Sequence, residues 1–204
     1  MPGGRGGAVA DAVHRRFPGE VGRRLVHASG AVIPLSHVLG LPWPWLQAAL
    51  IGGVAVAAVL EFHRLRSEPG WWIYRTLTRE YESDAVAGYA LYVLGMAVVA
   101  LAFPSRIALP AMFMLAVADP IGGVLGGAEP VTLKRPRALV GAFAVSLAVA
   151  LPFLAPVPAV AGAAAASLAD GVFLEVRGHV VDDNLTIPIA AAMAVAVTVT
   201  VWPV

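Results

Sequence analysis

Apolar residues run through this chain in blocks rather than in alternation with polar ones. Seven stretches, roughly 25–41, 45–62, 87–104, 107–127, 138–155, 157–174 and 186–203, are almost continuously apolar. Each approaches the ~20 residues that a helix needs to cross a bilayer. The first is the most interrupted, by His27, Ser29, Ser36 and His37, and little more than AlaProValPro separates the fifth from the sixth. The pattern predicts an all-α fold: a polytopic membrane helix bundle of about seven transmembrane helices. It forms one integral-membrane domain over residues 25–204, preceded by a polar segment, 1–24, too long for a signal n-region and read as cytoplasmic. Composition agrees. Of 204 residues 59% are hydrophobic and 13% charged, too few charges to clothe a soluble domain of this size. Cysteine is absent, which excludes disulfides, thiolate metal sites and cysteine nucleophiles.

The charges are few but sorted. Arg15, Arg16, Arg23 and Arg24 precede the first span; Arg64, Arg66, Arg75 and Arg79 lie at the second connection point; Lys134, Arg135 and Arg137 precede the fifth span, and Arg177 the seventh. Only Arg106 falls on the other side. The positive-inside bias therefore predicts a cytoplasmic N-terminus and an external C-terminus, which an odd number of spans satisfies. The acids Glu61, Glu68, Glu80, Glu82, Asp84, Glu129, Glu175, Asp182 and Asp183 sit on the same side, although acids contribute little to orientation. Polar chemistry gathered at one face suits an enzyme working there. A transporter would need polar groups along a path to both sides.

Two acids lie within apolar stretches. Asp119 stands in MLAVADPIGGVLGG, where burying a carboxylate costs roughly 2.5–3.5 kcal/mol on insertion scales, so its default reading is functional. Pro120 removes a backbone donor and predicts a kink or local opening. Gly122, Gly123, Gly126 and Gly127 follow at helical spacing from Asp119; they suit either close helix packing or the approach of a phosphate chain to bare backbone. Asp170 lies near the end of the sixth span, with Glu175, Asp182 and Asp183 close behind it. Carboxylates at such a rim suit Mg²⁺, which takes one or two of them together with substrate phosphates. The competing role is helix capping by Asp183 or Asn184, with Pro188 in the first turn. One residue suffices for that.

Basic residues divide likewise. Arg15, Arg16, Arg66 and Arg135 serve topology and lipid headgroups, whereas Arg23, Arg24, Arg79, Lys134 and Arg137 are candidates for phosphate. Arg79/Glu82 and Glu61/Arg64 are also spaced to pair with each other. His14, His37 and His179 carry no pattern, and His27 is either a packing residue or part of a site. There is no HExxH, no GxxxxGK[ST] and no GxSxG, so a nucleotide would be held in some other way.

Taken in order, GEVGRRLVH (19–27), EFHRLR (61–66) with LTREYE (77–82), ADPIGGVLGG (118–127) and DDNLTIP (182–188) resemble the elements of the dolichol kinase, phytol kinase and CTP-dependent diacylglycerol kinase family. The resemblance covers nearly the whole chain, and DDNLTIP is its most specific element. It implies a polytopic enzyme of the cell membrane, with a cytoplasmic active face, that phosphorylates a lipid alcohol using CTP and a divalent cation such as Mg²⁺. It carries over to Arg23, Arg24, His27, Glu61, Arg79, Glu82, Asp119, Gly126, Asp182, Asp183 and Asn184. Two departures stand out: Val140 occupies the place of the family's usual glutamate, and Arg24 that of its lysine.

The expectation is thus a metal held by Asp119, Asp182 and Asp183. Lys134, Arg79 and Arg23 or Arg24 would neutralise the transferring phosphoryl group, and Gly122, Gly123, Gly126, Arg137 and Asn184 would line the nucleotide. Asp170 or Asp119 would orient the attacking hydroxyl. The partners expected are a lipid alcohol, a nucleoside triphosphate and membrane lipids, with no nucleic acid. A cytidylyltransferase using the same nucleotide site, and a transporter using Asp119–Pro120 as a broken-helix site, are the rivals.

Overall fold

A computed structural model describes residues 22, 24–67, 85–126, 135–172, 174–176 and 179–201. After a helical segment at 24–29, the described chain forms α1 (Val32–Val38), α2 (Trp43–Ser67), α3 (Gly88–Ala102) and α4 (Ser105–Phe113). A π-helical turn, Met114–Ala118, leads without interruption into α5 (Asp119–Gly126). Then come α6 (Pro136–Ala150), α7 (Pro156–Gly171), a hairpin of β1 (Leu174–Val176) and β2 (His179–Val181), and α8 (Asp183–Val201). Among the described residues the fold is therefore helical, as expected, apart from an antiparallel hairpin in which Leu174 pairs with Val181 and Val176 with His179.

Among the described residues, three helices are long and apolar enough to cross a membrane: Trp43–Ser67, Ser105–Gly122 and Asp183–Val201. Their surfaces are apolar where a soluble protein would be charged. On α2, Ile51, Val56, Val59 and Phe62 are all more than half exposed, an apolar surface compatible with contact to lipid. The most apolar window of Ser105–Gly122 is 61% buried, against 22% for α2 and 33% for α8, so the helix carrying Asp119 runs through the middle of the bundle. Its own Met112, Met114 and Leu115, with Met96 of α3 and Ile187 and Val195 of α8, are fully or nearly fully buried.

The helices close on one another through small residues, as packing in lipid requires. A side chain on Gly162 would meet Val195 of α8 at 2.6 Å and Met114 at 3.3 Å. On α3, Gly95 lies against the backbone carbonyl of Asn184. Pro188, one turn beyond Asn184, lacks the N–H that would have taken this carbonyl, so the close approach falls where the helix is unbonded.

The first apolar stretch differs from expectation. Instead of one helix over 25–41, the chain turns at Gly30 and Ala31 between the helical segment 24–29 and the seven-residue α1. Pro34 explains the break: a proline clashes with the carbonyl four residues back, here that of Gly30. The turn is closed by i→i−3 bonds from the Gly30 and Ala31 amides to His27 and Ala28. Gly40, with φ of +111°, then lets the chain reverse into α2. His37 buttresses that reversal, with Nδ1 2.7 Å from the Leu41 carbonyl and its ring edge-on to Trp43.

Candidate functional site

The local sequence at the start of α8 determines which acid goes where. Asp182 is the cap. Its Oδ1 accepts the Asn184 backbone N–H at 2.9 Å and the Asn184 side-chain amide at 2.6 Å, and its carbonyl accepts from Leu185 and Thr186. This is N-cap chemistry, and it leaves Asp183, the first helical residue, to project elsewhere. Asn184 faces inward and is 6% exposed; its side-chain Oδ1 is buried with no hydrogen-bond partner among the described residues.

Asp183 meets Asp119 and Asp170. One carboxylate oxygen from each lies within 4.8 Å of the others. Asp170 comes from the last turn of α7 and is 5% exposed; Asp119 opens α5 directly after the π-helical turn. Three separate elements thus converge at one end of the bundle. At 1.5 Å per residue, Asp119 stands about 21 Å from Ser105 and Asp170 about 21 Å from Pro156, while Asp183 stands about 27 Å from Val201. These distances approach the roughly 30 Å of a bilayer's hydrocarbon core. Charged carboxylates this close repel by on the order of 3–4 kcal/mol per pair at an effective dielectric of about 20. A divalent cation reverses that cost. The donor set, all hard carboxylate oxygen, fits Mg²⁺, Mn²⁺ or Ca²⁺ rather than a soft metal.

Glycine makes room for the acids. A Cβ on Gly122 would stand 2.6 Å from Asp170 Oδ2 and 3.4 Å from the Ala142 methyl. Gly122 therefore serves the packing use considered for the glycine strip, letting α6 approach, and it also lets Asp170 in. Gly123 and Gly126 lie in the same helix. Arg137 donates from Nε to the Leu125 carbonyl at 2.9 Å, bonding a late carbonyl of α5 as a cation near a helix C-terminus does.

Asp119 is also met by His27. Its Nε2 is 3.3 Å from Asp119 Oδ2 and 3.0 Å from the Leu115 carbonyl. Tyr92 of α3 stands edge-on to the imidazole with centroids 4.5 Å apart and donates its hydroxyl to the His27 carbonyl. The apolar sequence around Tyr92 gives no signal for this role, and a backbone carbonyl such as that of Leu115 has no sequence signal at all.

Other expected residues lie elsewhere. Glu61 is buried with Arg64, which donates to it through Nε (2.9 Å) and Nη2 (2.8 Å). Its Oε2 also accepts the Ala87 amide just ahead of α3, at 3.0 Å. This i,i+3 pairing ties the end of α2 to the start of α3. Arg24 stands in the helical segment that carries His27. Arg23, Arg79, Glu82, Gly127 and Lys134 lie outside the described residues.

No family model, no curated protein and no solved structure matches the chain.

Proposed function

We propose that the chain is a CTP-dependent lipid-alcohol kinase of the dolichol, polyprenol or related isoprenoid class, working at the cytoplasmic face of the cell membrane. The observation that carries the reading is the convergence of Asp119, Asp170 and Asp183 at one end of a bundle whose outer surface is apolar. A water-soluble substrate needs no such setting. An amphiphile whose hydroxyl rides at the membrane surface does. On this reading all seven apolar stretches cross or enter the bilayer, with the N-terminus inside.

The three aspartates would hold Mg²⁺, which when bound neutralises the triphosphate and aligns it. The lipid hydroxyl oxygen attacks the terminal phosphorus, the bond to the β-phosphate oxygen breaks, and CDP departs. The hydroxyl proton passes to a carboxylate oxygen of Asp170 or Asp119. Phosphoryl transfer asks a protein chiefly for position and charge. Lys134, Arg79 and Arg23 or Arg24 would supply the cationic side, and Asn184, with its buried amide oxygen, lies beside the acids in sequence. An apolar groove of about 340 Å³, bordered by Ile33, Leu41, Leu46, Leu50, Gly53 and Val93, offers a place for a hydrocarbon tail.

The test uses purified protein in detergent with Mg²⁺, terminally labelled CTP or ATP, and a panel of lipid alcohols. Label should enter the organic phase with wild type and not with Asp119→Asn or Asp183→Asn. Failure to label any alcohol, in protein shown to be folded, sinks the kinase reading. Release of pyrophosphate instead of CDP, with a lipid phosphate as acceptor, would establish the cytidylyltransferase.

A further inference from the structure

The π-helical turn before Asp119 leaves a backbone group to be accounted for. In the i→i+5 register of Met114–Ala118, the carbonyl of Leu115 looks to the amide of residue 120. That residue is proline and has none. Leu115 is fully buried, so water is not at hand to replace the bond, and a buried carbonyl left unbonded is costly. The group that meets it comes from 88 residues earlier in the chain: His27 Nε2, at 3.0 Å. The same nitrogen stands 3.3 Å from Asp119 Oδ2. Facing two acceptors, it must carry a proton, because a bare ring nitrogen there would be repelled by both.

We infer that His27 is the positioning residue of the acid cluster, a clamp that holds the π-helical turn open and fixes the carboxylate of Asp119 toward Asp170 and Asp183. Its own orientation is fixed twice, by the edge-on ring of Tyr92 and by the Tyr92 hydroxyl on its carbonyl. Gly30 permits the second contact, since any side chain there would run into the Tyr92 hydroxyl. The segment 24–29 thus completes the site by side-chain contact rather than by burial in the core. A metal-binding carboxylate held by an outer hydrogen bond is the usual way such ligands are kept in place. The inference rests on the reading of the three aspartates as a cation site.

Two readouts on purified protein in detergent test it. The first is Mn²⁺ binding by electron paramagnetic resonance with no nucleotide present; the second is amide hydrogen exchange over residues 114–121 without metal. His27→Ala is expected to weaken Mn²⁺ binding about 10-fold to 100-fold and to speed exchange in the π-helical turn. His27→Gln, whose amide nitrogen reaches the place of Nε2, should stay within about threefold of wild type in both. His27→Asn is as polar but too short; it should resemble His27→Ala and replaces it if that variant does not fold. Wild-type affinity and wild-type exchange in the Ala and Asn variants overturn the inference. Wild-type protein that binds no Mn²⁺ sinks the cation reading instead. Exchange then decides the clamp alone: faster supports it, unchanged overturns it.

Discussion

Two groups of acids in this molecule, buried Glu61 and the partly to fully buried Asp119, Asp170 and Asp183, are built on opposite principles. Glu61 is closed: Arg64 meets it with a two-point fork, and the Ala87 amide takes a further lone pair. Asp119, Asp170 and Asp183 instead bring three like charges to within 4.8 Å. The first arrangement cancels its charge inside the protein and fastens two helices. The second gathers like charge at one point, where a divalent cation would be favoured. Burial of a carboxylate in an apolar chain is thus no sign of chemistry by itself. What separates the two groups is their company: one acid set against a guanidinium, the others set against each other.

This contrast can be broken most sharply at the aspartates. Asp119→Asn and Asp183→Asn should each lower lipid phosphorylation by about 10²–10³-fold, with the folded fraction unchanged by size-exclusion chromatography. Mg²⁺ at about 100 times its Kd should stabilise wild type by about 2.7 kcal/mol. Thermal unfolding should show that gain in wild type, and chelation or Asp183→Asn should remove it. Glu61→Ala should behave in reverse: leaving Arg64 buried without its carboxylate costs about 3–5 kcal/mol of stability. The molecules that remain folded below the lowered midpoint should bind Mn²⁺ as wild type does. Gly122→Ala forces a methyl against Asp170 Oδ2 and should cost about 1–3 kcal/mol, visible as a fall in Mn²⁺ affinity. The smallest effect belongs to Asp182→Ala, a lost cap worth about 1 kcal/mol. It should move Mn²⁺ affinity less than Asp183→Ala does; equal losses would mean that Asp182 is a ligand too.

The helices were legible because apolar runs of membrane length have few other meanings, and Asp119 was legible because an acid is expensive there. The pairing of Glu61 with Arg64 could be read from their spacing, although the family resemblance placed Glu61 in the site. What could not be read depended on register. Whether Asp182 or Asp183 joins the site turns on which one caps α8, a one-residue distinction that sequence rules do not resolve. Asp170 could be named, but its approach to Asp119 depends on Gly122 lying opposite it. The π-helical turn is a property of backbone bonding, and Pro120 hinted at an opening without fixing its kind. Pro34, which splits the first span, was within reach of the same reasoning and marks where apolar content outweighed a breaker.

The lengths of the helices carry a consequence for the surrounding lipid. With α3, α6 and α7 crossing the bilayer as proposed, their 15, 15 and 16 residues cover only about 22–24 Å, well short of the hydrocarbon thickness of an average membrane. The 25 residues of α2 cover about 37 Å. Lipids beside the short helices must compress while those beside α2 need not, so the protein imposes a tilt in bilayer thickness across its own width. Membrane thickness then becomes a variable the molecule can feel, and thin, short-chain bilayers are where its short helices sit at least cost.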